Sequence, residues 1–292
     1  MFKVFPPGYV TNYTTWRTTN NTAGNRDGFI SSTDDYADWS WSAMILPYID
    51  QAPAYNQLNV GSVPAAVSLT TTASQSILAQ PLPAFRCPSD TGPDVADGAR
   101  DVKDSNGTAH NTMVSNYVGS NRGNATNLNV ASIQQMGNQL GVFTANSKTK
   151  IRDITDGTSN TLLVGERAWE YSATDPTPGG SGGPIKANAR AGLAIVTRGE
   201  NSTGTTAGGR QCNSCGYTDA LGTTGIGVNH EDLWNGTTIG HGRVRATYSS
   251  RHEGGVQFLL CDGAVRFASE NMSITVLTNV ARKDDGNTVG EW

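Results

Sequence analysis

Apolar and polar residues alternate most strictly near the C-terminus, in a pattern that predicts a β-hairpin. The alternating apolar positions are Val256, Phe258, Leu260, Val265 and Phe267. Asp262-Gly263 interrupts the alternation, and this dipeptide is a strong signal for a tight turn between two strands. We therefore expect two antiparallel strands joined at Asp262 and Gly263, with His252 just ahead of the first strand.

Helical spacing of apolar residues predicts three short helices elsewhere in the chain. One begins at Asp38, which is a suitable N-cap, and carries Trp41 and Ile45 one turn apart. Pro47 is expected to kink or end its regular part. The other two are predicted over residues 74–78 and 273–281.

Apolar runs at residues 85–87, 113–118 and 162–166 are bounded by polar turns, which is typical of buried strands. The segments between them are rich in Asn and Thr, and the chain holds 34 glycines in 292 residues. We therefore expect an α+β fold, with an antiparallel β-sheet packed on helices and long Gly/Asn/Thr-rich surface loops. No internal repeat is visible, so residues 1–292 are predicted to form a single elaborated domain.

The charge content limits the classes of partner. Charged residues make up 16% of the chain, the net charge is −4, and Lys and Arg form no cluster. Nucleic-acid binding depends on a basic surface, so we exclude nucleic acid as a partner. Few charges among many hydroxyl and amide side chains indicate an extracellular protein, or a surface that packs against copies of itself.

Six motif blocks follow one another along the chain. They cover residues 5–8, 39–51, 85–90, 115–119, 154–166 and 249–267. In this order they resemble the pilin-like and pseudopilin-like proteins, abundant in planctomycetes, that carry the prepilin-type processing-associated His-x9-Asp-Gly signature. The resemblance implies a pilin-like globular domain in which His252, Asp262 and Gly263 are a structural motif. It is weakest over residues 172–246, which we expect to be a loop-rich surface insertion.

Members of that family begin with a basic leader, a processing site and a long apolar helix that anchors them in the membrane. This sequence contains no apolar stretch long enough to cross a bilayer, so we expect the chain to lack that helix and any membrane span. The resemblance implies a structural subunit and not an enzyme. Its partner would be itself, in an extracellular filament, a type IV pilus or the pseudopilus of a type II secretion apparatus.

Four cysteines are the candidates for disulfides: Cys87, Cys212, Cys215 and Cys261. An even number in a secreted protein favours disulfides, either local within Cys212-x-x-Cys215 or with Cys87 and Cys261 as partners. The Cys-x-x-Cys pair lies in a Gly/Thr-rich segment, which is not the strand-to-helix context of a redox dithiol. Sequence alone leaves the pairing open.

Oxygen ligands for calcium are offered by Asp153, Asp156 and Asn160, around a predicted turn. Their spacing does not match an EF-hand loop, and the turn itself also explains these residue types. We expect no other cofactor.

Catalytic chemistry finds little support in the sequence. His252 and Asp262 could lie near the same end of the predicted hairpin and share a hydrogen bond, but no nucleophile elbow accompanies them. We favour a role for both side chains in hydrogen bonding to backbone groups at the hairpin ends, and we predict no catalytic residues.

A surface module that binds carbohydrate or another cell-surface ligand is the alternative function. Exposed tryptophans would carry it, because aromatic faces stack on sugar rings, and the candidates are Trp16, Trp39, Trp169 and Trp234. For Trp39, packing in the core is the interpretation we favour.

Overall fold

The computed structural model describes residues 4–10, 36–96, 101–122, 141–144, 146–169, 171–174, 184–187, 191–198, 204–205, 211–212, 216–229, 246–287, 289–290 and 292. Within these residues the architecture is α+β, as the sequence predicts. No helix in this part of the chain is long and apolar enough to cross a membrane.

A five-stranded sheet lies at the centre of the fold. In spatial order its strands are β14 (Leu221–Thr223), β6 (Tyr117–Arg122), β7 (Leu162–Glu166), β15 (Gly255–Leu260) and β16 (Val265–Ser269). β14 runs parallel to β6, and every other neighbouring pair is antiparallel. The β15–β16 turn contains Gly263 at φ +93°, and the Asp262 carboxylate accepts a hydrogen bond from the Ala264 amide at 2.9 Å. The predicted hairpin is confirmed.

The inner face of this sheet is covered by the C-terminal helix α5 (Ile274–Val280). Phe258 and Leu260 project from β15 into a buried cluster that also contains Leu277 of the helix. Tyr248 meets Phe258 edge-on, with ring centroids 4.8 Å apart. Alternation along β15 thus separates an apolar inner face from the opposite, outer face, to which Gln257 and Leu259 belong.

A helical layer surrounds the buried indole of Trp39, which donates a hydrogen bond to the Val63 carbonyl at 2.8 Å. Its elements are α1 (Trp41–Ile45), α2 (Ala52–Gln57), α3 (Ala65–Ser68), α4 (Thr72–Leu78) and 3-10 helices at Leu46–Tyr48 and Pro83–Phe85. Further 3-10 turns lie at Ile151–Asp153, Thr158–Asn160 and Gly216–Asp219.

Short strands complete the described structure. β2 (Asp38–Ser40) lies between β1 (Tyr9–Val10) and β11 (Val196–Thr197), and β5 (Val114–Ser115) pairs with β10 (Gly192–Leu193). Three hairpins join β3 (Val102–Lys103) to β4 (Ala109–His110), β8 (Tyr171–Thr174) to β9 (Pro184–Ala187) and β12 (Gly204–Thr205) to β13 (Gln211–Cys212).

Segment 172–246 is not confined to the surface. Leu193, Ile195 and Val196 are buried among the residues that surround Trp39, and β14 is a strand of the central sheet. The described residues of this segment therefore contribute to the core instead of lying only on the surface. For the rest of the segment a loop-rich surface insertion stays a prediction.

Two local predictions were wrong in detail. Asp38 does not cap a helix, because residues 38–40 pair with β1 and β11 and the helix begins only at Trp41. Residues 85–87 are not a strand, since Phe85 ends a 3-10 helix that starts at Pro83. Pro47 does end the regular helix, which gives way to 3-10 geometry at Leu46.

Candidate functional site

An open apolar groove of about 470 Å³ lies between α1 and the outer face of the central sheet. Trp41 and Ile45 line one side, and Val164, Leu259 and Val265 line the sheet side. Trp41 is fixed by stacking on Phe143 at 5.6 Å between ring centroids. The groove therefore has rigid apolar walls.

At its β16 end the outer face of the sheet is exposed in the described structure. Val265 is 63% exposed and Phe267 is 42% exposed. Both belong to β16, which is at the edge of the sheet and pairs only with β15 among the described strands. An exposed apolar edge strand offers both a hydrophobic surface and unpaired backbone groups to a partner.

Cys87, Glu166 and His252 form a cluster at the end of the groove where Glu166 lies. The Cys87 thiol sulfur is 3.8 Å from His252 Nε2 and 3.9 Å from Glu166 Oε1. The Glu166 oxygen and His252 Nε2 are 3.4 Å apart. This is the one group of three or more His, Cys, Asp or Glu side chains in the described structure whose ligand atoms converge closely enough to hold a metal ion.

Each member of the cluster is held by the local structure. The backbone amide of Cys87 donates to Asn116 Oδ1 at 3.0 Å, and Asn116 in turn donates to Asp90 at 2.5 Å. The second carboxylate oxygen of Glu166 accepts from the Gln257 amide at 2.9 Å. These bonds fix the positions from which the side chains project.

The loop that carries His252 is fixed in the same way. The His252 amide donates to Ser250 Oγ at 3.1 Å, and this hydroxyl donates to the Gly255 carbonyl at 2.6 Å. The His252 side chain is 39% exposed, whereas that of Glu166 is only 8% exposed. The cluster thus has a buried carboxylate and a side open to solvent.

The cluster influences the pKa of the neighbouring Tyr117 side chain. Burial, followed by the negative charges of Cys87 and Glu166, raises the pKa of Tyr117 above its ordinary value. Tyr117 also lines the apolar groove.

The structure separates His252 from Asp262. His252 precedes β15 and Asp262 follows it, so the six-residue strand lies between them. The shared hydrogen bond that the sequence permits as an alternative for this pair is absent from the described structure. Asp262 does bond to backbone at the turn, as predicted, but the His252 side chain instead faces Cys87 and Glu166.

The described cysteine side chains form no disulfide. Cys87 and Cys261 are free thiols, so the arrangement that used them as partners is not present. Cys215 and the side chain of Cys212 lie outside the described residues.

Trp39 and Trp169 are 2% and 8% exposed and belong to the core, so neither offers an exposed ring face for sugar binding. Trp16 and Trp234 also fall outside the described residues.

The predicted calcium ligands make other contacts. Asp156 accepts hydrogen bonds from the amides of Asp285 and Gly286 at 2.8 and 3.0 Å, and Asp153 accepts from the Lys150 amide at 2.8 Å. Asn160 donates to the Asp156 backbone carbonyl at 3.4 Å. These contacts tie the C-terminal segment to the turn, and calcium binding there stays a prediction.

Comparison with known proteins places the chain in a family. It belongs to the family described as "Protein of unknown function (DUF1559)", whose model matches residues 1–274. Neither a curated protein nor a solved structure matches the chain. The six motif blocks lie within the matched residues.

Proposed function

We propose that this protein is a structural subunit of an extracellular filament, pilus or pseudopilus, in which the outer face of the central sheet packs against a neighbouring copy. The observation that carries the proposal is the uncovered apolar surface formed by the groove and by Val265 and Phe267. The motif resemblance and the low charge content support it. The role is architectural and not enzymatic.

A second copy is the occupant that the chemistry of this surface favours. Trp41, Leu259 and Val265 present a broad apolar lining with little charge, and large exposed apolar patches mark protein–protein contacts. The β16 edge adds backbone donors and acceptors that a strand of another copy can pair with. A head-to-tail contact of this kind extends into a filament when its rotation does not close.

The test compares the assembly of the wild-type chain with that of Val265→Asp by light scattering over a concentration series and by electron microscopy. Val265 is 63% exposed, so the charge should leave folding intact while it blocks burial of the surface. Ile151→Asp is the matched control, because Ile151 is 51% exposed and does not line the groove.

We expect the wild-type chain and Ile151→Asp to assemble and Val265→Asp to remain monomeric. A wild-type chain that stays monomeric at every concentration contradicts the proposal. Assembly of Val265→Asp to the wild-type extent also contradicts it, because the interface would then lie elsewhere.

A further inference from the structure

Three chemically different ligand atoms converge on one point beside the groove. A thiol sulfur, an imidazole nitrogen and a carboxylate oxygen, from Cys87, His252 and Glu166, lie within 4.8 Å of one another. Burying a carboxylate without a cation or hydrogen-bond partners is costly, and Glu166 is buried. Glu166 Oε2 is satisfied by the Gln257 amide, while Oε1 faces the sulfur and the imidazole.

The arrangement differs from that of a catalytic triad. In a triad the nucleophile and the carboxylate contact different nitrogens of the imidazole, so that a proton passes through the ring. Here both the Cys87 sulfur and the Glu166 oxygen lie nearest to the same atom, His252 Nε2, at 3.8 and 3.4 Å. This is not the relay arrangement of a triad, and it leaves all three ligand atoms close enough together to share one cation.

The spacings match a tetrahedral metal site. Zinc binds sulfur at about 2.3 Å and nitrogen or oxygen at about 2.0–2.2 Å, which places tetrahedral ligands about 3.3–3.7 Å apart. The observed nitrogen–oxygen separation of 3.4 Å lies within this range. The two separations from sulfur, 3.8 and 3.9 Å, exceed it by at most a few tenths of an ångström. A small rotation of the side chains would close the difference.

The donor set also suits zinc in charge and type. A Cys87 thiolate and the Glu166 carboxylate together balance the charge of a divalent ion, with His252 neutral. Thiolate and imidazole donors select zinc and similar transition metals over calcium or magnesium. The Cys87 backbone amide donates to Asn116 Oδ1, and the Gln257 backbone amide donates to Glu166 Oε2. These bonds supply the supporting shell that metal ligands need.

We infer that Cys87, Glu166 and His252 bind one divalent transition-metal ion, with zinc as the best match, and leave a fourth position to water. The ion links the turn after the Pro83–Phe85 helix, the end of β7 and the loop before β15. Binding displaces the thiol proton of Cys87, so affinity falls as pH falls. This inference is independent of the proposed assembly.

The test uses cobalt as a spectroscopic probe, because a cobalt–thiolate bond gives an intense charge-transfer band. The full chain carries Cys212→Ser and Cys215→Ser, so that the Cys-x-x-Cys pair contributes no sulfur. Cys87→Ser, His252→Ala and the control Cys261→Ser are added to this background, and circular dichroism without metal checks folding.

We expect one cobalt ion per chain with a thiolate band that zinc displaces. The band should vanish in Cys87→Ser and persist in Cys261→Ser. In His252→Ala at least about tenfold more cobalt should be needed to produce it. The His252 side chain is exposed enough to be replaced without unfolding the protein. Absence of the band in the background protein overturns the inference. So does its survival in Cys87→Ser, or unchanged cobalt affinity in His252→Ala.

Discussion

Arg198 and Asp219 form an ion pair inside the protein. Arg198 Nε donates to Asp219 Oδ2 at 2.7 Å, Nη2 donates to Oδ1 at 3.3 Å, and the side chains are only 3% and 2% exposed. The two-point geometry strengthens each hydrogen bond. Because the guanidinium is inaccessible to water, removal of the Asp219 charge leaves Arg198 buried without its ion-pair partner.

Asp219→Asn is therefore expected to lower the free energy of unfolding by about 3–5 kcal/mol. Urea unfolding near neutral pH measures the loss. Asp284→Asn is the control: Asp284 pairs with Lys283 at 3.1 Å near the surface, and such pairs contribute about 0–1 kcal/mol. Similar losses in both variants would contradict the role assigned to the buried pair.

Cys87 and Cys261 should differ in their reactivity toward alkylating agents. Burial, followed by the charge of Asp262, raises the pKa of Cys261 to about 12. The thiolate is the reactive form of cysteine, so Cys261 should resist alkylation. At mildly alkaline pH, with Cys212 and Cys215 replaced by serine, we expect iodoacetamide to modify Cys87 before Cys261, and zinc to protect Cys87. Peptide mass spectrometry reads both sites, and faster modification of Cys261 would refute the assignment.

Asp104 contributes stability that depends on pH. Burial disfavours its charged form, but hydrogen bonds from the His110 ring and from the Thr108 and Asn106 amides outweigh this and lower the pKa below the ordinary 3.8. A carboxyl with a lowered pKa in the folded state stabilises it above the unfolded value, and this stabilisation is lost as pH falls through the folded value.

Asp104→Asn should therefore lower the free energy of unfolding by about 1 kcal/mol near neutral pH, because hydrogen bonds to a charged group become weaker neutral ones. The difference from wild type should shrink as pH falls below 3.8. Unfolding measured at several pH values tests this, and a difference that grows on acidification would show that the sign is wrong.

At the scale of elements, close packing of β7 against β15 depends on the absence of a side chain at Gly165. A Cβ there would lie 2.4 Å from Phe258 Cε1 and 2.5 Å from Tyr248 Cδ1. Both rings are fully buried and meet edge-on, so neither has space to move away.

Gly165→Ala should thus destabilise the protein by about 1–3 kcal/mol through overpacking. Gly290→Ala is the matched control, because a Cβ at Gly290 meets nothing within 4 Å. Thermal unfolding compares the two variants. Equal melting temperatures would mean that β7 and β15 are packed less closely than the structure indicates.

Elements with a strong local signal were predictable from sequence. The β15–β16 hairpin follows from alternation around Asp262-Gly263, and α5 follows from apolar residues one turn apart. Asp38 was misassigned because it pairs with Thr197, a residue far along the chain, and such long-range pairing overrides a local capping signal. The parallel pairing of β14 with β6 likewise has no local signature.

At the scale of the whole molecule, the metal-binding cluster was beyond the reach of sequence reasoning. Glu166 and His252 lie 79 and 165 residues from Cys87 along the chain, and no short ligand spacing connects them. Each stands in a separate motif block, so only the fold brings them together. Sequence suggested a disulfide role for Cys87 and a hairpin role for His252, and it assigned no role to Glu166.

The groove and the cluster adjoin, because Glu166 contributes to both. A cation at the cluster would hold together the end of β7 and the loop before β15. Both β7 and β15 contribute side chains to the apolar outer face. Metal binding is therefore expected to stabilise the surface that we propose for assembly, by the mass-action effect of a ligand that binds only the folded state.

The central claim is that the outer face of the sheet is an interface between copies of the chain, and electron cryo-microscopy of the purified wild-type chain tests it most directly. We expect ordered assemblies in which a neighbouring copy covers Leu259, Val265 and Phe267. Dispersed monomers, or an assembly that leaves these three side chains exposed to solvent, would contradict it.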